Sequence, residues 1–582
     1  MRPRVLLLLL LNLLLIFLGW PSKMPVRSSL APLPVRFANG PKCPEISPLR
    51  LSNVFDGEGL VLQCGEHRAT RVWGFAAAGC SISAAFVPLG GPSSLGSSSS
   101  SFASLAYSET GSFVATFSAL PCGVEGVLAL ASSSGAALNA SVRLGHVLFC
   151  SGQSNMVGLS LLPGFEADSS VAASLQVESP ATAAEAASQP LPIYGLRVGM
   201  RDAWAKDAPL AELASAPELP WAALPTPASP AAASFSAVCW WWGRALARHH
   251  FPAGTPIGLI EAAWGGSWVQ AWSTPASNAQ CSAPPFGAPW APGHFSSLHN
   301  ALVAPFQVGP LALTALGWYQ GESNGLVGQG GEYYRCALGA LVESWREGFA
   351  APGLPVAVVE LAPFAREGGG GAWGAGWVSV RAAQLAAALQ RPTLAPFALI
   401  PTSDVRDLPG DIHPRRKRVI GERLAQATRE MLCGGGSGGS GGSLPEPVVV
   451  TGPVHLSSRA VEGGLVVHFS QAVVPQEDAE GGCSGGVDSR SCGRLEMRDA
   501  SGKWVPAQWD LEAAAAAGAA AGSSSGGGSA QLLLRPLPGE AQAQGPFSGS
   551  RSGRGMWPAC SIVGAASGWP AHPWEAGVDG GS

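Results

Sequence analysis

The apolar positions between residues 146 and 432 follow two alternating periods. Short continuous runs, Val147–Cys150, Pro256–Ala263, Leu313–Tyr319, Pro355–Leu361 and Pro396–Pro401, have the length and composition of buried strands. Between and after them, Phe235–His250, Glu332–Phe349, Trp377–Leu389 and Arg415–Leu432 carry the longer helical period. This alternation predicts an α/β domain with a parallel sheet covered by helices on both faces. The site of such a sheet belongs in the loops at the carboxyl ends of its strands. Leu161 to Ala233, rich in Ala, Pro and Ser, is expected to form an excursion over the sheet.

The flanks read differently. From Lys42 to about Arg143 there is no long helical period, only alternating runs such as Leu60–Gln63, Arg71–Phe75 and Ser112–Phe117 separated by Gly, Pro and Ser. These predict a small β-domain, with the serine tract Ser97–Ser101 as a flexible loop. Gly434–Ser443 is a flexible linker by composition. Beyond it, Val448–Val450, Gly464–Phe469 and Gln531–Leu534 predict a C-terminal β-domain, interrupted by a low-complexity insertion at Ala513–Ser529. At the other end, Arg2 and Arg4 precede an apolar run from Val5 to Trp20, the pattern of a secretory signal peptide, with a membrane anchor as the alternative. The expected division is a signal peptide at 1–25, an N-terminal β-domain at 42–145, the α/β domain at 146–433, a linker at 434–443 and a C-terminal β-domain at 444–582.

Composition agrees with this multi-domain reading. The 582 residues are 47% hydrophobic and 13% charged, ample for burial, while 76 glycines and 49 prolines place many residues in turns. The net charge of −4, with no basic cluster interleaved with aromatics, argues against a nucleic-acid partner. Twelve cysteines suit an oxidising destination, extracellular or lysosomal or vacuolar, and Asn139-Ala140-Ser141 is a glycosylation sequon. Cys150 and Cys239 are each compatible with a buried thiol or a bridge. There is neither a C-x-x-C nor an H-E-x-x-H pair, which counts against a zinc site. No cofactor is implied, and no stable membrane partner is expected once the signal is removed.

Four loops follow the predicted strands with unusual polar content: Gly152–Met156, Trp264–Ser267, Trp318–Asn324 and Gly410–Pro414. Ser154, set where an apolar run ends abruptly in small and polar residues, is the candidate nucleophile. A serine hydroxyl attacks poorly unless a base removes its proton and fixed donors receive the oxyanion, so it needs partners from the other loops. Trp264, Trp268, Trp272 and Trp318 offer either a sugar-stacking wall or core packing.

The strings S-G-Q-S-N-M at 151–156, F-S-A-V-C-W at 235–240, W-G-G at 264–266, W-Y-Q-G-E-S-N at 318–324 and D-I-H-P at 411–414 together resemble the SGNH family of serine esterases, and within it the sialate O-acetylesterases. The resemblance implies an SGNH-hydrolase-like sheet and a carboxylic ester hydrolase that removes O-acetyl groups from sialic acid or a related carbohydrate through an acetyl-enzyme. An acetylxylan-type esterase and a catalytically silent carbohydrate-binding protein are the alternatives. It implies Ser154 as nucleophile and His413 as general base. The oxyanion donors would be the Ser154 amide, an amide of Gly265 or Gly266, and a side-chain amide from Gln320 or Asn324. Trp264, Trp318 and Glu322 are the candidate substrate contacts, Glu322 also being a hydrogen-bonding partner for neighbouring loops. Many SGNH esterases place aspartate three residues before the histidine, but that position here is Gly410. Asp411 is the first candidate to orient His413; Asp404, Asp407 and a backbone carbonyl remain open.

Overall fold

The computed structural model describes most of residues 42–433, leaving aside chiefly 90–101, 158–189, 285–293, 365–371 and 406–411, together with a series of strands between 449 and 577. The expected signal peptide, the serine tract, the Gly/Ser linker and the Ala513–Ser529 insertion lie outside the described residues.

The fold is organised around β8, a 16-residue strand from Ala137 to Gly152. Its first half pairs antiparallel with β7 (Val124–Ser132) and parallel with β2 (Val61–Gln63). Its second half pairs in parallel on one side with β11 (Ile257–Ala263) and on the other with β12 (Ala315–Tyr319). The expected boundary at 145/146 therefore falls inside one continuous strand. The burial pattern of β8 records this change of role: exposed and buried positions alternate at first, and the last six residues are all buried. A strand covered on one face alternates, whereas one covered on both does not.

The central path runs β10–β9–β11–β8–β12–β13–β14–β15, with β9 at Ile193–Arg197, β10 at Leu219–Ala223, β13 at Val356–Val359, β14 at Phe397–Ile400 and β15 at Val449–Val450. All neighbours on this path are parallel except the outermost β10–β9 pair. Two expectations are corrected here. The stretch expected to pass over the sheet contributes β9, a full parallel neighbour of β11, because Ile193, Leu196 and the glycine between them fill a buried position. The run at 448–450 extends the central sheet beside β14 instead of joining a C-terminal unit.

Helices α1 (Ala237–His249), α2 (Val269–Trp272), α3 (Pro275–Gln280), α4 (Glu322–Leu326), α5 (Gly331–Gly348), α6 (Ala372–Gln390) and α7 (Lys417–Cys433) accompany the sheet. Two buried apolar clusters lie on its two sides. One gathers Phe149, Trp272, Trp318 and Trp345, the other Leu148, Trp241, Trp242 and Ile420. Phe149 and Leu148 are successive residues of β8, so the alternation of the strand sends them to opposite layers. Cys150 and Cys239 bridge β8 to α1, and Cys43–Cys80, Cys64–Cys122 and Cys281–Cys336 are the other disulfides among the described residues. C-terminal strands between His455 and Gly577 form a seven-stranded antiparallel sheet. No helix among the described residues is long and apolar enough to cross a membrane.

Candidate active site

The three parallel strands β11, β8 and β12 end side by side, with Ala263 and Tyr319 both registered against Gly152. Gly152 has φ 139°, and a Cβ there would lie 2.1 Å from the Tyr319 carbonyl oxygen. Only glycine lets the chain turn out of the sheet this close to its neighbour. The turn delivers Gln153, Ser154 and Asn155, each of which has a different partner.

Ser154 Oγ lies 2.8 Å from His413 Nε2. The pair joins the end of β8 to the segment before α7 across 259 positions of sequence. Ser154 and His413 are 4% and 5% exposed, so the pair is screened from bulk water yet reachable. Burial first, and the Lys417 ammonium second, push the imidazole down to about 3. A neutral ring can accept the serine proton.

Gln153 binds the first loop to the third. Its Oε1 accepts from Gln320 Nε2 at 3.2 Å, from the Gly321 amide at 3.4 Å and from the Ser323 amide at 3.3 Å. Asn155 binds the first loop to both the third and the fourth. Its amide nitrogen donates to Glu322 Oε1 at 2.6 Å and to the Ile412 carbonyl at 2.9 Å, while its oxygen accepts from Lys417 Nζ. Ile412 is the residue before His413, so Asn155 fixes the backbone that carries the imidazole.

The expected third oxyanion donor is not available in this arrangement. Gln320 Nε2 is spent on Gln153 Oε1, the Ser267 carbonyl and Asn324 Oδ1. Its Oε1 accepts from the Tyr334 hydroxyl at 2.8 Å. Asn324 Nδ2 donates to Gln270 Oε1 and Gln329 Oε1, and its Oδ1 accepts from the Val269 amide. Both amides therefore lock the second and third loops together. Gly265 and Gly266 remain partly exposed on the second loop, with Gly266 at φ 68°.

Two expected substrate contacts are also corrected. Trp318 is fully buried, edge-on to Trp272 at 5.8 Å and to Trp345 at 5.6 Å, which leaves no ring face for a sugar. Trp268 and Trp272 are buried likewise, whereas Trp264 is half-buried. Glu322 is 1% exposed and faces Asn155, the neighbouring-loop role. Burial raises its carboxyl pKa, against the pull of the Asn155 hydrogen bond and the Lys417 charge. Asp411, Asp404 and Asp407 lie outside the described residues. Among the described residues, the one group of clustered metal-ligand types is Cys64, Cys122 and His146, and its two cysteines are joined as a disulfide.

Lys417 was not among the expected site residues, although a signal for it exists. A cation in the first turn of a helix opposes the helix dipole, so a lysine there calls for another reason. It is fully buried, four residues after His413, with its ammonium on Asn155 Oδ1 and 5.5 Å from the Tyr319 ring centroid. Removing this charge in Lys417→Met should raise the His413 pKa. The imidazole would then be protonated at higher pH, and the acid limb of kcat/KM should move upward. A pH–rate profile superimposable on that of the parent would contradict this coupling.

The family model for "Carbohydrate esterase, sialic acid-specific acetylesterase" matches residues 145–430, a span that contains all four loops. The match covers just under half of the chain. The chain is 29% identical over 289 residues to the sialate O-acetylesterases of Pongo abelii and Homo sapiens, covering 47% of this chain and 50% of theirs. With the Rattus norvegicus sialate O-acetylesterase the chain shares 26% identity over 354 residues, covering 53% of this chain and 60% of that one. The chain thus spans about half the length of the first curated relatives it matches. The fold extends further: a crystal structure of a carbohydrate acetylesterase from Xanthomonas citri superposes with TM-score 0.63 at 22% identity, covering 90% of this chain and 99% of that one.

Proposed function

We propose that the chain is a serine esterase that removes O-acetyl groups from a carbohydrate, with acetylated sialic acid as its substrate. The observation that carries this reading is the 2.8 Å contact between Ser154 Oγ and His413 Nε2 at the strand ends of the family segment. Ser154 Oγ attacks the acetyl carbonyl as His413 Nε2 takes its proton. The Ser154 amide and an amide of Gly265 or Gly266 receive the negative charge on the carbonyl oxygen. His413 then gives that proton to the departing sugar oxygen, which leaves as the free hydroxyl as its bond to the acetyl carbon breaks, and acetyl-Ser154 remains. Water, deprotonated by the same imidazole, releases acetate and restores the serine. Gln153, Asn155, Gln320 and Asn324 keep the donors and the base in place, so little reorganisation is needed as charge develops.

Trp264, half-buried beside the glycine pair, is the aromatic residue best placed to stack on the sugar. The substrate assignment is tested by comparing purified protein on O-acetylated sialic acid, acetylated xylan and an aryl acetate. The highest kcat/KM is expected on acetylated sialic acid. A preference for acetylated xylan would redirect the assignment to a plant-type polysaccharide, and inactivity on all three would refute esterase function.

Asp411 is assigned the orientation of His413. Asp411→Asn should lower turnover by about 10⁴-fold if its carboxylate holds the imidazole, while Asp404→Asn and Asp407→Asn are milder. Near-normal turnover in Asp411→Asn alongside loss in one of the other two would move the role there. Tolerance of all three would leave a Ser154/His413 dyad. Entry into the secretory route is supported by the apolar run at 5–20 and by the four disulfides. N-terminal sequencing of the secreted protein should begin after the apolar run, and a start at Met1 would contradict cleavage.

A further inference from the structure

The sequon Asn139-Ala140-Ser141 takes no part in the ester chemistry, and the fold gives it a definite place. It lies in the first half of β8, at the end of a sheet that continues through β7 to β4 (Ser81–Pro88) and β5 (Phe102–Tyr107). Antiparallel register carries the outward positions across this sheet in rows. Asn139 stands in a row with Ala129 of β7 and Ala85 of β4. The row through Ala137 on one side reaches Leu105 of β5, and the row through Ser141 on the other reaches Val87 of β4. The positions between them face the opposite way into the core, as at Phe86 and Leu128.

None of these three rows carries a charge, although the face is open: Leu105 is 69% exposed and Val87 40%. Along Ala137–Ser141, β8 has a strand on one side only among the described residues, since β2 joins its other side from Arg143 onward. A free edge beside an uncharged face invites pairing with other chains, and proteins ordinarily guard it with charges, proline or a bulge. Here the first charges are Arg143 and Glu125, paired with each other one row beyond Ser141. Asn139 and Ser141 are both exposed, and neither side chain makes a hydrogen bond among the described residues. The sequon thus presents its amide and its hydroxyl together on the face that lacks a guard.

We propose that Asn139 carries an N-linked oligosaccharide that covers the outer face of this sheet and the open edge of β8. The amide nitrogen attacks the anomeric carbon of an oligosaccharide carried on a lipid diphosphate. An N–C bond forms as the anomeric C–O bond breaks, the lipid diphosphate leaves with the electron pair, and one amide proton passes to the transferase that catalyses the step. Ser141 supplies the hydroxyl that the transferase requires two residues on. A bulky hydrated glycan then does what charges do on other sheet edges. The inference rests on the secretory reading above and is independent of ester cleavage.

The test is translation of the full chain with microsomes, read by protease protection and by the mass lost on treatment with a glycan-releasing amidase. The protected chain should lose the mass of one oligosaccharide, because no other N-x-S/T occurs in the sequence. Asn139→Gln and Ser141→Ala should each abolish that loss, and Ser141→Thr should keep it. A protected chain without the loss, or a loss that survives Asn139→Gln, would overturn the proposal. A chain that stays open to protease would overturn the secretory reading, and this inference with it. The covering role is read on the secreted protein. After amidase treatment it should keep its aryl acetate hydrolysis and melting temperature but aggregate at lower concentration, and Leu105→Lys should restore solubility by placing a charge on the same face. Solubility unchanged by removal of the glycan would overturn that role.

Discussion

Replacing Ser154 by alanine is expected to lower ester turnover between about a thousandfold and a millionfold, with the fold intact. The size follows from what is lost: the hydroxyl oxygen that lies 2.8 Å from His413 Nε2, the proposed base. Preservation of the fold follows from where the loops are tied. Those bonds run through the side chains of Gln153 and Asn155, on either side of Ser154, and not through its hydroxyl. Alanine removes one oxygen and leaves the turn, the carbonyl of Ile412 and the carboxylate of Glu322 with their partners. Melting temperature should therefore stay within about 2 °C of the parent, the range of substitutions that remove no packing. A variant that kept normal turnover would show that the nucleophile lies elsewhere. One that lost activity only by unfolding would show that Ser154 is structural.

His413→Ala is expected to cost a similar factor, and the double variant Ser154→Ala/His413→Ala should be little worse than either single one. Residues that perform one proton transfer act as a unit, and removing the second gains nothing further. Additive losses would contradict a shared step. The pH dependence supplies a second readout. With the imidazole held near 3 by burial and by Lys417, the base stays unprotonated through mildly acidic conditions. The acid limb of kcat/KM should thus lie well below the ordinary histidine value of about 6.5. The same shift has a consequence for stability. His413 is neutral in the fold but takes a proton in the unfolded chain below about 6.5, so the unfolded state binds more protons between that value and about 3. Its contribution is present above 6.5 and is lost as pH falls toward 3. In His413→Ala the acid-induced fall in stability should be shallower.

How much of this was legible in the chain depended on whether the signal was local. The strands Ile257–Ala263, Ala315–Tyr319, Val356–Val359 and Phe397–Ile400 lie within the apolar runs read from sequence, because strands buried on both faces carry continuous hydrophobic side chains. The helices between them differ from the sequence reading by a few residues at their ends, except α6, which begins five residues earlier at Ala372. The strand Ile193–Arg197 was not legible: five residues interrupted by Gly195 and preceded by prolines resemble a loop until β11 is present to pair with them. The continuity of β8 was hidden for a related reason. Its period changes where its surroundings change, and the change resembles a domain boundary.

The site divides in the same way. Ser154 and His413 were legible because each sits in a compact motif at a strand or helix end. The roles of Gln320 and Asn324 were not, since an amide that can receive an oxyanion and one that holds a neighbouring loop look identical in sequence. Only the acceptors around them, Gln153 Oε1, the Ser267 carbonyl and Gln270 Oε1, decide between the two. Trp318 posed the same problem. Its place beside a catalytic loop suggested substrate, while the direction of its side chain from β12 sends it among Trp272 and Trp345. Lys417 was overlooked because its function depends on Asn155, 262 positions away in sequence.

The central claim is that Ser154 forms a covalent intermediate with His413 as its base. It is tested most directly by treating the protein with an aryl phosphonate ester and mapping the adduct by peptide mass spectrometry. The expected result is a single stoichiometric label on Ser154, loss of acetate release in step with labelling, and labelling slowed by orders of magnitude in His413→Ala. An adduct on a different residue, or full esterase activity in protein that is completely labelled at Ser154, would contradict it.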